Sequence, residues 1–199
     1  MNAIFERLRQ RNNPRKNNRL RTITTKKITR HLPEYKEVKR LYLSAFPEAE
    51  RFPLSALRFL ALRKDVDFLS YYEDDNFCGF TFSFAYKEIL FVLYFAVNDK
   101  IRSKGYGSEI LAKLGQEAMG KTIVLNVEKP DDYAENAEQR QRRLKFYMKN
   151  GYSDTGYIMK EKDGDYLILS TSREFNPNEL SEALKHLSFG LYNVKIEKA

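Results

Sequence analysis

Residues 89–97 read Ile89-Leu90-Phe91-Val92-Leu93-Tyr94-Phe95-Ala96-Val97, and after Asn98 to Ile101 comes Arg102-Ser103-Lys104-Gly105-Tyr106-Gly107. The nine apolar residues are long enough for a strand and show no alternation, the pattern of a strand buried on both faces. Beyond the polar loop, Ile110, Leu111, Leu114 and Ala118 recur at helical spacing. They predict an inward-facing stripe on a helix from Gly105 to Met119. Gly115 inside that helix is a weak point, about 1 kcal/mol poorer than Ala.

A turn placed between a buried strand and a helix has a specific chemistry. The helix N-terminus leaves backbone N–H groups unpaired and carries about half a positive charge. Both favour a bound phosphate. Gly105 and Gly107 let the backbone approach a diphosphate closely. Arg102 and Lys104 add charge-assisted contacts. A dinucleotide fingerprint fits less well, because its third glycine would fall on Ile110. A nucleoside-triphosphate loop would need Gly-Lys-Ser/Thr after four spacer residues, and that is absent. The remaining alternative is a plain glycine turn with surface charges.

Working outward, a first strand is predicted over Arg21 to Thr29, with Ile23 and Ile28 as its apolar members. Pro33 then suits a helix start, and Tyr35, Val38, Leu41, Tyr42 and Ala45 keep helical spacing. Pro53 starts a second helix, Leu54 to Arg63. Asp67 to Glu73 and Phe77 to Tyr86 read as strands around the turn Asp74-Asp75-Asn76. Phe80, Phe82, Phe84 and Tyr86 share one face of the second. Thr122 to Val127 is a further apolar strand. Ala134 to Asn150 reads as a helix with Ala137, Leu144 and Met148 inward, stopped at Asn150-Gly151. Tyr152 to Lys160 and Asp165 to Ser172 form a hairpin about Asp163-Gly164. Leu180, Leu184 and Leu187 stripe a tail helix, Asn178 to Leu187.

The chain has 199 residues and 42% hydrophobic content, enough for one packed domain. Residues 1–30 hold ten Lys or Arg against the single acid Glu6, a net +9 that exceeds the whole chain's +8. The basic character therefore belongs to the N-terminal end. It suggests weak nucleic-acid contact or a solvated leader, and the absence of aromatics between Leu8 and Leu20 favours the leader. Cys78 is the only cysteine, so no internal disulfide forms, and a reducing cytoplasmic setting is expected. No apolar stretch is long enough to span a membrane. The expected organisation is a disordered basic arm over 1–21, a domain over 22–175 and a helical or strand appendage over 176–199.

The strand, the R-S-K-G-Y-G turn and the helix resemble the cofactor-binding motif of GNAT-type N-acetyltransferases. The order of elements is similar to that family across residues 22–172. The resemblance implies an α/β (α+β) fold, a mixed and mostly antiparallel sheet of about seven strands flanked by about four helices. It implies acetyl-CoA as co-substrate, and no metal. Backbone groups of Phe95, Ala96 and Val97 would hold the pantetheine arm. Arg102, Ser103, Lys104, Gly105, Tyr106, Gly107 and Ser108 would hold the pyrophosphate. Leu144-Lys145-Phe146-Tyr147-Met148-Lys149-Asn150-Gly151-Tyr152 resembles the family's late helix, whose Tyr protonates the departing thiolate. Tyr147 stands in that position. Seven and four positions before it, where many members carry Asn and Ala, stand Arg140 and Arg143.

The implied reaction is acetyl transfer to a primary amine by direct attack on the thioester. Backbone N–H near Ala96 or Val97 would stabilise the oxyanion. Glu128, at the end of its strand, is the candidate base, against a surface or salt-bridged glutamate. Glu48 and Glu50, with Phe46, Arg51 and Phe52, fall where the family shapes its acceptor site. Cys78 reads as a core residue rather than a nucleophile. His31 and His186 lie outside the motifs, so neither a triad nor a metal site is expected. The competing class is a binding module, either an acyl-CoA sensor or a nucleic-acid adaptor using the basic arm. A homodimer through the tail helix is left open.

Overall fold

The computed structural model describes residues 22–101, 104–161 and 164–199. In chain order they form β1 (Ile23–Lys27), α1 (Tyr35–Ala45), α2 (Leu54–Leu60), β2 (Val66–Glu73), β3 (Asn76–Tyr86) and β4 (Ile89–Val97). Then come α3 (Tyr106–Glu117), β5 (Thr122–Glu128), α4 (Ala137–Lys149), β6 (Ser153–Glu161), β7 (Gly164–Ser170), α5 (Pro177–Leu187) and β8 (Lys195–Lys198). Short 3-10 turns occupy Glu48–Glu50 and Asp99–Ile101. The basic arm, Arg102 and Ser103 lie outside the described residues.

The strands make one sheet in the order β1-β2-β3-β4-β5-β7-β6-β8. Every neighbour is antiparallel except β4 and β5, which run parallel because α3 carries the chain across between them. The fold is thus the mixed α/β sheet expected, with eight strands and five α-helices among the described residues where about seven and about four were implied. The added strand, β8, has the sequence Lys-Ile-Glu-Lys, an edge strand disguised by its charges.

The sheet has a core on each face. On one face α1, α2 and α5 pack Val38, Leu41, Leu57, Leu180 and Leu184 against Phe80, Phe82 and Phe84 of β3. Burying each of these fully enclosed rings contributes about 1.5–3 kcal/mol. The stripe Leu180, Leu184 and Leu187 thus belongs to this core, and Asn176 caps its helix by accepting from the amides of Asn178 (3.0 Å) and Glu179. On the other face α3 and α4 pack Leu111, Leu114 and Tyr147 against Leu90, Val92, Leu125 and Leu169. Met148, expected inward, is 48% exposed, and Tyr147 takes the buried position. Leu144 and Tyr147 are three residues apart, so a small rotation of the helix selects that pair over Leu144 and Met148.

β4 lies fourth in this sheet and is covered on both faces, as its continuous apolar run requires. Its alternation breaks once. Phe82 of β3 pairs with Tyr94, but Ser83 pairs with Val92, so Leu93 is an extra residue in the ladder. Leu93 and Tyr94 consequently pack on the same face, and Phe95 turns to the other. Such a bulge bends and twists its strand locally.

Candidate active site

The bulge sits where β4 leaves β5. These strands pair only from Ile89–Val92 against Thr122–Leu125. Both continue, β4 to Val97 and β5 to Glu128, but without pairing each other further. Among the described residues the β5-facing edge of Leu93 to Val97 therefore has no strand partner, and it borders a cleft. The cleft widens into a cavity of about 1440 Å³ lined by residues of both divergent segments.

Close packing behind β4 fixes this geometry. A Cβ built on Gly79 of β3 would meet the carbonyl oxygen of Ala96 at 2.3 Å, so only glycine lets the strands lie this close. Asn98 closes the end of β4. Its amide donates to Cys78 O at 2.8 Å and its side-chain amide donates to Phe77 O at 2.8 Å. Cys78 itself is fully buried, in keeping with its reading as a core residue.

At one end of the cleft the glycine turn enters α3. Gly105 is the N-cap, with φ of 89°, a left-handed conformation that costs other residues about 1–2 kcal/mol. Gly107 faces α4, where a Cβ would stand 2.9 Å from the ring of Phe146. The Tyr106 hydroxyl donates to Glu73 at the end of β2. This pins the turn to the sheet while Gly105, Gly107 and Ser108 line the cavity.

Tyr147 reaches the cavity from α4, its ring edge-on to Phe146 (5.2 Å) and Tyr152 (5.6 Å) and tilted toward Phe95 (6.4 Å). Its hydroxyl has no hydrogen-bond partner among the described residues. Burial pushes its pKa up to about 12, and the nearby Arg143 cation only partly opposes this. The group is accordingly a neutral O–H donor throughout the physiological range.

Glu128, the candidate base, lines the cavity at the end of β5. Its carboxylate is held by α4: Arg143 donates at 2.6 Å, Asn136 at 3.0 Å, and Arg140 Nε lies at 3.3 Å. Arg140 also donates to Asn136 Oδ1 at 2.7 Å and Lys129 O at 3.1 Å. The two arginines that depart from the motif thus tie the start of α4 to the end of β5.

On the opposite face of the sheet the cavity is bounded by the turn Glu48–Glu50. Tyr94 grips this turn, donating to Glu50 O at 2.6 Å and accepting from the Phe52 amide at 3.2 Å. Tyr42 donates to Phe52 O at 3.0 Å, and Tyr166 of β7 donates to the Glu50 carboxylate at 3.0 Å. The segment between α1 and α2 is therefore tied to the sheet by tyrosine hydroxyls, while Pro47, Glu48, Ala49, Phe52 and Pro53 stay exposed.

Residues 35–152, more than half of the chain, match the model of the Acetyltransferase (GNAT) family. The chain belongs to that family. A GNAT-family protein from Bacteroides thetaiotaomicron has the same fold, with a TM-score of 0.66 at 24% identity, over 85% of this chain and 99% of that one. An aminoglycoside 6'-N-acetyltransferase solved with coenzyme A superposes with a TM-score of 0.58 at 18% identity, covering 77% of this chain and 99% of its own. The ribosomal-protein-S18-alanine N-acetyltransferase from Escherichia coli gives 0.56 at 16% identity, covering 78% and 96%. No curated protein matches the chain.

Within this GNAT fold the structure brings Phe95, Ala96, Val97, Gly105, Tyr106, Gly107, Ser108, Glu128 and Tyr147 to one cavity. Arg102 and Ser103 fall outside the described residues. Three residues of the cleft were not singled out from sequence: Gly79, Tyr94 and Tyr166. Gly79 did carry a signal, since an isolated glycine within a strand pattern marks a close backbone approach. Tyr94 and Tyr166 carried none, because both read as ordinary strand aromatics.

Proposed function

We propose that the protein transfers the acetyl group of acetyl-CoA to a primary amine by direct attack on the thioester. The observation that carries the proposal is the pairing of a strand-free β4 edge with the partnerless Tyr147 hydroxyl in one cavity. The cradle fits the co-substrate: the Gly105 conformation and the contact of Gly107 with Phe146 keep side chains out of the turn. Backbone groups of Phe95, Ala96 and Val97 would hold the pantetheine arm along the open edge. Amides of Lys104, Gly105, Tyr106, Gly107 and Ser108, with Arg102 and Ser103, would hold the pyrophosphate.

The chain's own groups then have defined tasks. An N–H of Ala96 or Val97 donates to the carbonyl oxygen as it gains charge. Tyr147 holds a proton for the leaving sulfur. A lysine-like amine costs about 4.6 kcal/mol to present as free base at pH 7, so a proton acceptor or a solvent path is required. Glu128 is the proposed acceptor, released from its α4 clamp or acting through water. The buried Cys78 supports a reducing, cytoplasmic setting.

Calorimetric titration of acetyl-CoA into the protein tests the donor site, with Gly105→Trp and Tyr147→Phe alongside. Micromolar binding lost in Gly105→Trp and kept in Tyr147→Phe is expected. Binding without turnover of any amine would leave an acyl-CoA-binding module in its place.

A further inference from the structure

The cavity runs between the divergent ends of β4 and β5, so it opens toward both faces of the sheet, and the two faces differ in charge. Among the described residues, the basic ones lining it are Arg142, Arg143 and Lys149, all on α4 beside Tyr147. Among the described residues, the face covered by α1, α2 and α5 contributes no Lys or Arg to its lining. It contributes two carboxylates, Glu50 and Glu161. Each is held by a tyrosine: Tyr166 donates to Glu50 Oε1 at 3.0 Å, and Tyr192 donates to Glu161 Oε1. One oxygen of each is thereby fixed, and the group is oriented on the cavity wall.

The same face is apolar at its rim. Phe52 is 51% exposed, Phe59 65%, Phe189 66% and Leu191 90%, and all four line this cavity. They are four of the nine large apolar side chains exposed among the described residues. Scattered single residues need no explanation, but a cluster around one opening does. The rim is also anchored, since the Arg63 guanidinium lies 5.4 Å from the Phe189 ring and donates to His186 O at 3.1 Å.

We propose that the acceptor is a small primary amine on a bulky apolar body, its ammonium met by Glu50 and Glu161 and its body seated on Phe52, Phe59, Phe189 and Leu191. This rests on the acetyl-transfer reading and names its substrate class. Charge complementarity supplies the amine, because the acidic face repels anions and the basic face is separate. The rim supplies the apolar body, because a hydroxylated or polycationic amine would leave four large apolar groups against water. A buried phenyl group is worth enough to separate such ligands by tenfold or more.

Titration of 4-phenylbutylamine into the full chain, with glucosamine and spermidine in parallel, reads the site without requiring turnover. Phenylbutylamine is expected to bind at least tenfold more tightly than either. The paired substitution Glu50→Gln with Glu161→Gln is expected to weaken it tenfold or more, and Phe59→Ser threefold or more, with acetyl-CoA affinity unchanged. Phe59 is exposed, so its variant keeps the test open should the paired variant fold poorly. Equal or tighter binding of glucosamine or spermidine overturns the proposal, as does a phenylbutylamine affinity indifferent to both variants. Amine binding as expected without acetyl-CoA binding would support this site and remove the transferase reading instead.

Discussion

Gly79 stands across from Val97 in the ladder, and a Cβ there would lie 2.3 Å from the carbonyl oxygen of Ala96. That oxygen is backbone, so it yields only if β4 moves. Gly79→Ala is expected to push the end of β4 toward the cleft and to destabilise the fold by about 1–3 kcal/mol. Urea denaturation measures the loss. Acetyl-CoA affinity should fall in parallel, because the displaced segment is the proposed pantetheine edge. Unchanged affinity with lowered stability would separate the strand from the cofactor site.

Tyr147 gives a prediction in pH. Its folded pKa is about 12 against about 10 for an unfolded tyrosine. Below pH 10 both states are protonated and the shift has no effect on stability. Between about pH 10 and 12 the unfolded side chain ionises while the folded one does not, so the folded state binds more protons and loses stability as pH rises. The slope for this group is about 1.4 kcal/mol per pH unit. Tyr147→Phe should therefore unfold at higher pH than the parent protein in an alkaline titration followed by circular dichroism. For turnover, the parent's rate should show no falling limb from Tyr147 between pH 7 and 10. Tyr147→Phe should lower kcat tenfold or more at an unchanged Kd for acetyl-CoA.

How much of this was legible follows from where each requirement originates. The β4 run, the glycine turn and the α5 stripe express local rules, since burial on two faces, left-handed backbone and helical spacing each leave a mark in sequence. The Leu93 bulge is different, because nothing in an unbroken apolar run shows where the alternation slips. Helical spacing of three or four residues admits Met148 and Tyr147 alike, and only packing against Phe95 and Tyr152 selects Tyr147. Arg140 and Arg143 stood out as departures from the motif, yet their partner Glu128 lies on another element. The carboxylate–tyrosine pairs of the acceptor wall join residues 31 and 116 positions apart, beyond any local pattern.

The Glu128 clamp separates two roles that one substitution would confuse. Glu128→Gln and Arg143→Gln each break the 2.6 Å pair, and each is expected to cost about 1–3 kcal/mol, since the carboxylate is mostly buried. If Glu128 only ties α4 to β5, the two variants should lose kcat alike, and the double variant little more. If it takes the amine's proton, Glu128→Gln should lose kcat at least tenfold beyond Arg143→Gln, with the rate recovering as pH rises toward the amine's own pKa. A double-mutant cycle on stability and on kcat gives both comparisons.

The glycines of the turn should fail in different ways. Gly105→Ala meets a left-handed backbone with φ of 89°, so its cost of about 1–2 kcal/mol is intrinsic and no neighbouring change relieves it. Gly107→Ala crowds the Phe146 ring, at 2.9 Å, while Val97 Cγ2 at 3.4 Å is an ordinary contact. That ring belongs to a side chain and can be shortened. Acetyl-CoA affinity is expected to fall in both single variants, measured by calorimetry. Adding Phe146→Leu should restore most of the loss in Gly107→Ala and none of it in Gly105→Ala. Rescue of Gly105→Ala by the same change would mean that crowding, not backbone conformation, is what Gly105 serves.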